Sequence, residues 1–94
     1  MSDKYFSINV SFNDLDGKEI TADFRIKNPN RAQISRCLQK LNKDMIGSLR
    51  NLVFDIIHPE DKENFKVLSE QYSGIAASVG NKILEGVGFD SLGK

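Results

Sequence analysis

The sequence predicts an α+β fold, an N-terminal antiparallel β-hairpin packed on about four α-helices in one small domain spanning 1–94. Three observations predict it. Two stretches near the N-terminus alternate apolar and polar residues with period 2 around an Asp-Gly turn. A strongly apolar segment, Ile46 to Ile57, carries helical spacing and is stopped by His58-Pro59. Prolines and glycines then cut the remainder into helix-length pieces, with no internal repeat and no linker long enough to divide domains. On this reading residues 4–27 form the hairpin, 29–86 the helical part and 87–94 a frayed tail.

In the first strand, Tyr5 to Phe12, Phe6, Ile8, Val10 and Phe12 face one way and Ser7, Asn9 and Ser11 the other. In the second, Glu19 to Lys27, Ile20, Ala22, Phe24 and Ile26 are inward and Thr21, Asp23, Arg25 and Lys27 outward. Residues 13–18 are rich in turn formers, and Gly17 is free to take positive φ. A lone hairpin is marginal in water, so its apolar face must rest on helices.

The first helix starts around Asn28-Pro29-Asn30, either with Asn28 as cap and Pro29 in the first turn or with Asn30 capping and Gln33 closing a capping box. It runs to about Asn42 and buries Ile34, Cys37, Leu38 and Leu41. Asp44 caps the central helix, whose stripe is Ile46, Leu49, Val53, Ile56 and Ile57. Leu52 and Phe54 widen that stripe, leaving Ser48, Arg50, Asn51 and Asp55 as the wet side. Pro59 opens a third helix, with Glu60, Asp61 and Glu63 at its positive end and Phe65, Leu68, Tyr72 and Val67 on the apolar side. A fourth runs from about Ile75 to Glu85 around Ile75, Val79 and Ile83. Gly80 sits inside it at a cost of about 1 kcal/mol relative to Ala, which suits close approach of another helix.

Composition narrows the function. Thirteen basic residues balance thirteen acidic ones, whereas a nucleic-acid binder usually carries a basic surplus. The apolar fraction is 39% with no long apolar run, so neither a membrane span nor a signal peptide is expected. The lone Cys37 excludes an internal disulfide and fits a reducing compartment. On an apolar helix face it is expected to be a small hydrophobe rather than a nucleophile. His58, before a proline, is expected to be a cap or an exposed contact. Asp14, Asp16 and Gly17 faintly resemble a calcium loop, but the other ligand positions are missing and a plain turn is expected. Gly86-Val87-Gly88 follows no strand and opens no helix, so it is not a phosphate loop. No catalytic set, metal or cofactor is expected, and the chain reads as a non-enzymatic binding protein. Its candidate partner-binding residues are the basic cluster Lys27, Arg31, Arg36 and Lys40, and three apolar residues one small core need not absorb: Leu52, Phe54 and Leu84.

The order of segments resembles the small tail assembly chaperones of long-tailed bacteriophages and prophages. The resemblance rests on ADFRIK, NPNRAQISRCLQK, LRNLVFDIIHPED and YSGIAASVGNKILEGVGF, together covering roughly residues 19 to 89. It implies a protein of the host-cell cytoplasm that coats the phage tape-measure protein, keeps it soluble and helps recruit tail-tube subunits. Self-association is a further expectation. Strand addition at the two open hairpin edges and a helical groove are physical routes to such binding. The competing readings are a tail-completion or connector component kept in the virion, and a small prophage regulator binding nucleic acid through the basic cluster.

Overall fold

The computed structural model describes residues 4–88. The chain runs as β1 (Tyr5–Asn13), β2 (Glu19–Lys27), α1 (Arg31–Lys40), α2 (Met45–Ile56), α3 (Pro59–Gln71) and α4 (Gly74–Gly86). The α+β class and the hairpin followed by four helices are as the sequence predicts. The expected tail over 87–94 lies beyond the described residues from position 89 onward.

β1 and β2 pair antiparallel without a break, from Tyr5 opposite Lys27 to Asn13 opposite Glu19. The turn is built by Asp14, whose Oδ1 accepts from the N–H groups of Asp16 and Lys18, each at 2.9 Å. That use of the carboxylate leaves a plain turn, and Gly17 takes φ 83° within it. The inner face is buried most fully along β2, at Ala22, Phe24 and Ile26, and at Val10 of β1. Ile8 and Phe12 are half-buried, and Phe6, expected inward, is exposed.

Of the two starts considered for α1, the capping box is the one formed. Asn30 Oδ1 accepts from Gln33 N–H at 2.8 Å, and Gln33 Oε1 accepts from Asn30 N–H at 2.9 Å. The helix ends at Lys40 rather than Asn42, because its last turn tightens: Leu41 N–H donates to Leu38 O and Lys43 N–H to Lys40 O.

Asp44 caps α2 through Gly47 N–H at 2.9 Å. The buried stripe of α2 is Leu49, Leu52, Val53 and Ile56, at i, i+3, i+4 and i+7. Two expectations are corrected here. Ile46 is exposed, and Ser48, assigned to the wet side, is buried with no hydrogen-bond partner for its Oγ. Ile57 leaves the helix for extended backbone, φ −74° and ψ 146°, and forms a bridge with Ile26 of β2.

Pro59 takes the first helical position of α3, and the cap is His58, whose Nδ1 accepts from Glu60 N–H at 3.1 Å. Phe65 is fully buried from this helix, whereas Val67, expected to help, points to solvent. Rings from three elements meet around Phe65: Phe24 at 5.4 Å and 89°, and Phe54 at 5.2 Å and 78°. Both are edge-to-face arrangements, in which the positive rim of one ring meets the negative face of the other. α4 lies against α2 as the most extensive helix pair, closing the core with Ile75, Ala76, Val79, Ile83 and Leu84. Gly80 makes that approach possible, since a Cβ there would lie 2.7 Å from Leu49 Cβ.

Candidate partner-binding surface

The basic cluster does not become one patch. Arg31, Arg36 and Lys40 are all exposed on α1. At 100° per residue, Arg31 lies roughly half a turn around the helix from the other two. Arg36 and Lys40 border a small hollow between α1 and α2, with Gln33, Cys37, Ser48 and Asp55 among its other walls. Arg36 Nη1 stands 3.6 Å from Asp55 Oδ2, an exposed pair of small energetic weight. Lys27 is half-buried at the end of β2.

The apolar candidates are corrected more sharply. Leu52 and Leu84 are both buried, so in this fold neither is a contact residue. The reason is that α4 packs directly on α2, and their facing stripes absorb both side chains. Phe54 is half-buried, with its ring against Phe65 and the Arg50 guanidinium 5.1 Å from its centroid. Cys37 is buried, and desolvation pushes its thiol up, away from the reactive thiolate. Among the described residues, no group of three or more His, Cys, Asp or Glu comes together as a metal site. No described helix is long and apolar enough to cross a membrane.

The strongest polar feature joins two residues that the sequence reading treated separately. Arg25 of β2 donates to Asp61 of α3 from its backbone N–H at 2.8 Å, from Nε at 3.0 Å and from Nη2 at 3.0 Å. Nη2 also reaches Glu60 at 3.2 Å. The Arg25 hydrogen bonds hold the Asp61 carboxyl below its ordinary range, and the guanidinium is held more firmly protonated in return. His58 N–H donates to Arg25 O at 2.8 Å beside the Ile26–Ile57 bridge. These contacts close the outer edge of β2 over its last residues. The β2 edge is thereby shortened, and the β1 edge is the longer of the two that were expected. Arg25 and Asp61 are 36 positions apart, and no local sequence pattern announces their pairing.

The edge uncovered along its whole length is that of β1. The described sheet has the order β1-β2, and no described strand pairs with the far side of β1. Next to that edge lie two hollows. One, at the hairpin tip, is lined by Phe12, Leu15, Tyr72 and Ile75 among others. The second, at the opposite end of β1, is lined by Phe6, Ile8, Ile26 and Ile83, with Lys82 and Gly86 beside them. The tip hollow has the more apolar walls, and Leu15 on its rim is fully exposed. Sequence reasoning passed over Leu15 as a turn residue. The available signal was a large apolar side chain between Asp14 and Asp16, where packing gives it no role.

Of the comparisons with known proteins, that with solved structures bears on the architecture and agrees with it. The profile of a family described as domain of unknown function DUF6848 matches residues 1–93. Among solved structures, an uncharacterised protein, rbstp2171, from Bacillus stearothermophilus is similar with a TM-score of 0.72 and 24% identity. The match covers 95% of this chain and 88% of that one. At that identity the likeness speaks for the fold alone. No curated protein matches.

Proposed function

The chain belongs to the DUF6848 family, and we propose that it serves as a tail assembly chaperone, binding a phage tape-measure protein and keeping it soluble during tail assembly. The observation that carries this reading is the apolar hollow at the hairpin tip. A tape-measure protein is a long helical client, and its apolar helix face needs a non-catalytic apolar landing that leaves the carrier folded. Phe12, Tyr72 and Ile75 supply the floor and Leu15 the exposed rim. The segment order behind the resemblance to tail chaperones, a hairpin followed by helices of which the third opens at Pro59, supports the same reading. The nucleic-acid reading loses ground because Arg31 faces away from Arg36 and Lys40, and Arg36 is paired with Asp55.

Co-expression with the tape-measure protein of the same genome tests the proposal. The client should move from the pellet to the soluble fraction as a complex that survives size exclusion. Leu15→Lys, in an exposed turn, should leave the fold intact and return most of the client to the pellet. A client that stays insoluble beside folded parent protein overturns the chaperone reading. Recovery of this chain from purified particles moves the tail-component reading ahead.

A further inference from the structure

We propose that the open edge of β1 is a self-association site, at which two copies of this chain pair β1 to β1 antiparallel about Asn9 and form a continuous four-stranded sheet. The inference does not depend on the identity of any client.

The direction of the backbone groups follows from β2. Arg25 N–H and C=O are used by Asp61 and His58, so they point away from β1. Arg25 is opposite Ser7, and antiparallel pairs alternate between exchanging and not exchanging hydrogen bonds. Tyr5, Ser7, Asn9, Ser11 and Asn13 therefore direct their backbone N–H and C=O outward, along an edge of nine residues. Such edges are ordinarily guarded by a charge, a proline, a bulge or brevity. Residues 5–13 contain no charged residue, no proline and no glycine, and the register with β2 has no bulge. β2 by contrast carries Glu19, Asp23, Arg25 and Lys27, and the α2–α3 junction closes its edge at Arg25 and Ile26.

A second copy is the occupant because the strand is complementary to itself. With Asn9 opposite Asn9, the outward-bonding residues match as Ser7 with Ser11 and Tyr5 with Asn13. On the inner face Phe6 meets Phe12 and Ile8 meets Val10, pairs of the kind that stabilise sheets. Phe6 is 40% exposed, and Ile8 and Phe12 are half-buried, so the pairing covers the part of the inner face that one copy leaves wet. No like charges oppose each other across the strand, and the chain has no net charge to hold two copies apart. Of the α4 residues bordering the two hollows, Gly74, Ser78 and Gly86 are small, leaving room for the partner's helix beneath the joined sheet. In this register the tip hollow of one copy adjoins the Phe6 hollow of the other, so each dimer carries two longer composite grooves.

Sedimentation velocity on the full chain, over a series reaching the millimolar range, should show a species of twice the 10.6 kDa chain mass. Ser7→Lys with Ser11→Lys puts lysine opposite lysine twice and should weaken that dimer by at least about tenfold. Its far-ultraviolet spectrum should match the parent's. Mixing it with a chain carrying Ser7→Glu and Ser11→Glu should restore association. In a Cys37→Ala background, Asn9→Cys should oxidise to a disulfide-linked dimer, since hydrogen-bonded antiparallel pairs place Cα atoms about 5.5 Å apart. A Ser35→Cys variant, on exposed α1, should not. A parent that stays monomeric throughout the series overturns the proposal. So does a lysine variant that dimerises as well as the parent, or a dimer that Asn9→Cys fails to trap.

Discussion

Gly80→Ala sets helix propensity against packing in a case where the two have opposite signs. Replacing glycine by alanine inside an exposed helix gains about 1 kcal/mol. At position 80 the added methyl meets Leu49 Cβ at 2.7 Å, Cδ2 at 2.8 Å and Cγ at 3.1 Å. Carbon atoms pack best at about 3.5–4.0 Å. Rotation of Leu49 moves Cγ and Cδ2 aside, but Cβ is fixed to the backbone of α2. The clash is relieved only by separating α2 from α4, which loosens the most extensive helix contact in the molecule. Overpacking of this kind costs about 1–3 kcal/mol, and a contact that no rotamer relieves belongs at the upper end. The expected net loss is about 2 kcal/mol, a fall in Tm of roughly 8–16 °C for a domain of this size.

Gly47→Ala is the matched control. Its new methyl would meet the Asp44 carboxylate, the mobile end of a side chain that can swing away. Losing that cap costs about 1 kcal/mol and the helix gains a similar amount, so the variant should melt near the parent. Urea and thermal denaturation followed by circular dichroism measure both. A Gly80→Ala protein as stable as the parent, or more stable, would refute the claim that this glycine sets the α2–α4 spacing.

Three further outcomes are expected. Val53→Asp puts an unpaired charge into a fully buried site and should abolish the cooperative unfolding transition seen by circular dichroism. Cys37→Ala should cost roughly 1 kcal/mol in urea denaturation, and the parent thiol should resist a neutral-pH labelling reagent until the chain unfolds. Asp61→Asn should unfold at lower denaturant than the parent at neutral pH, with the gap closing in acid. The sign follows from the depressed carboxyl: its contribution is complete above the unfolded value of about 4 and is lost as pH falls through the lower folded value. Denaturation midpoints across a pH series, where a gap that widens in acid would contradict the pairing with Arg25, measure this.

The legible parts of the fold were those fixed by neighbours in sequence. Period-2 alternation, the Asp-Gly turn, the Asn30–Gln33 box, the Asp44 cap and the Pro59 start all involve residues within a few positions of each other. Gly80 was also legible as a site of close approach, though not with Leu49 as the partner. Ile46 and Ser48 show where this stops. Periodicity gives the phase of a helix face, but not how far its neighbours reach along it, so Ile46 lies beyond cover while Ser48 falls inside it. Leu52 and Leu84 looked surplus to one small core because area arguments count side chains without saying which helices face each other. The candidate surface was the least legible part. Its walls, Phe12 and Leu15 beside Tyr72 and Ile75, come from opposite ends of the chain.

The two strands of the hairpin end up with different tasks, and their sequences already differ accordingly. β2 is the charged strand and the one the helices hold: Phe24 and Ile26 enter the core, the backbone of Arg25 is bonded to His58 and Asp61, and Ile57 bridges Ile26. Of the charges on its outer side, Asp23 is bonded to Asn9 and Arg25 to Asp61 and Glu60. β1 touches the helices mainly through α4, and only Val10 among its inner-face residues is buried. If β1 served packing alone, an outer edge free of charge would be a standing aggregation hazard with no structural return. A lysine at Ser11, opposite Thr21 of β2, would remove the hazard without disturbing the core, since that side chain lies on the exposed face. An edge left uncharged although Ser11 is exposed and faces only Thr21 is better explained by a strand that it receives.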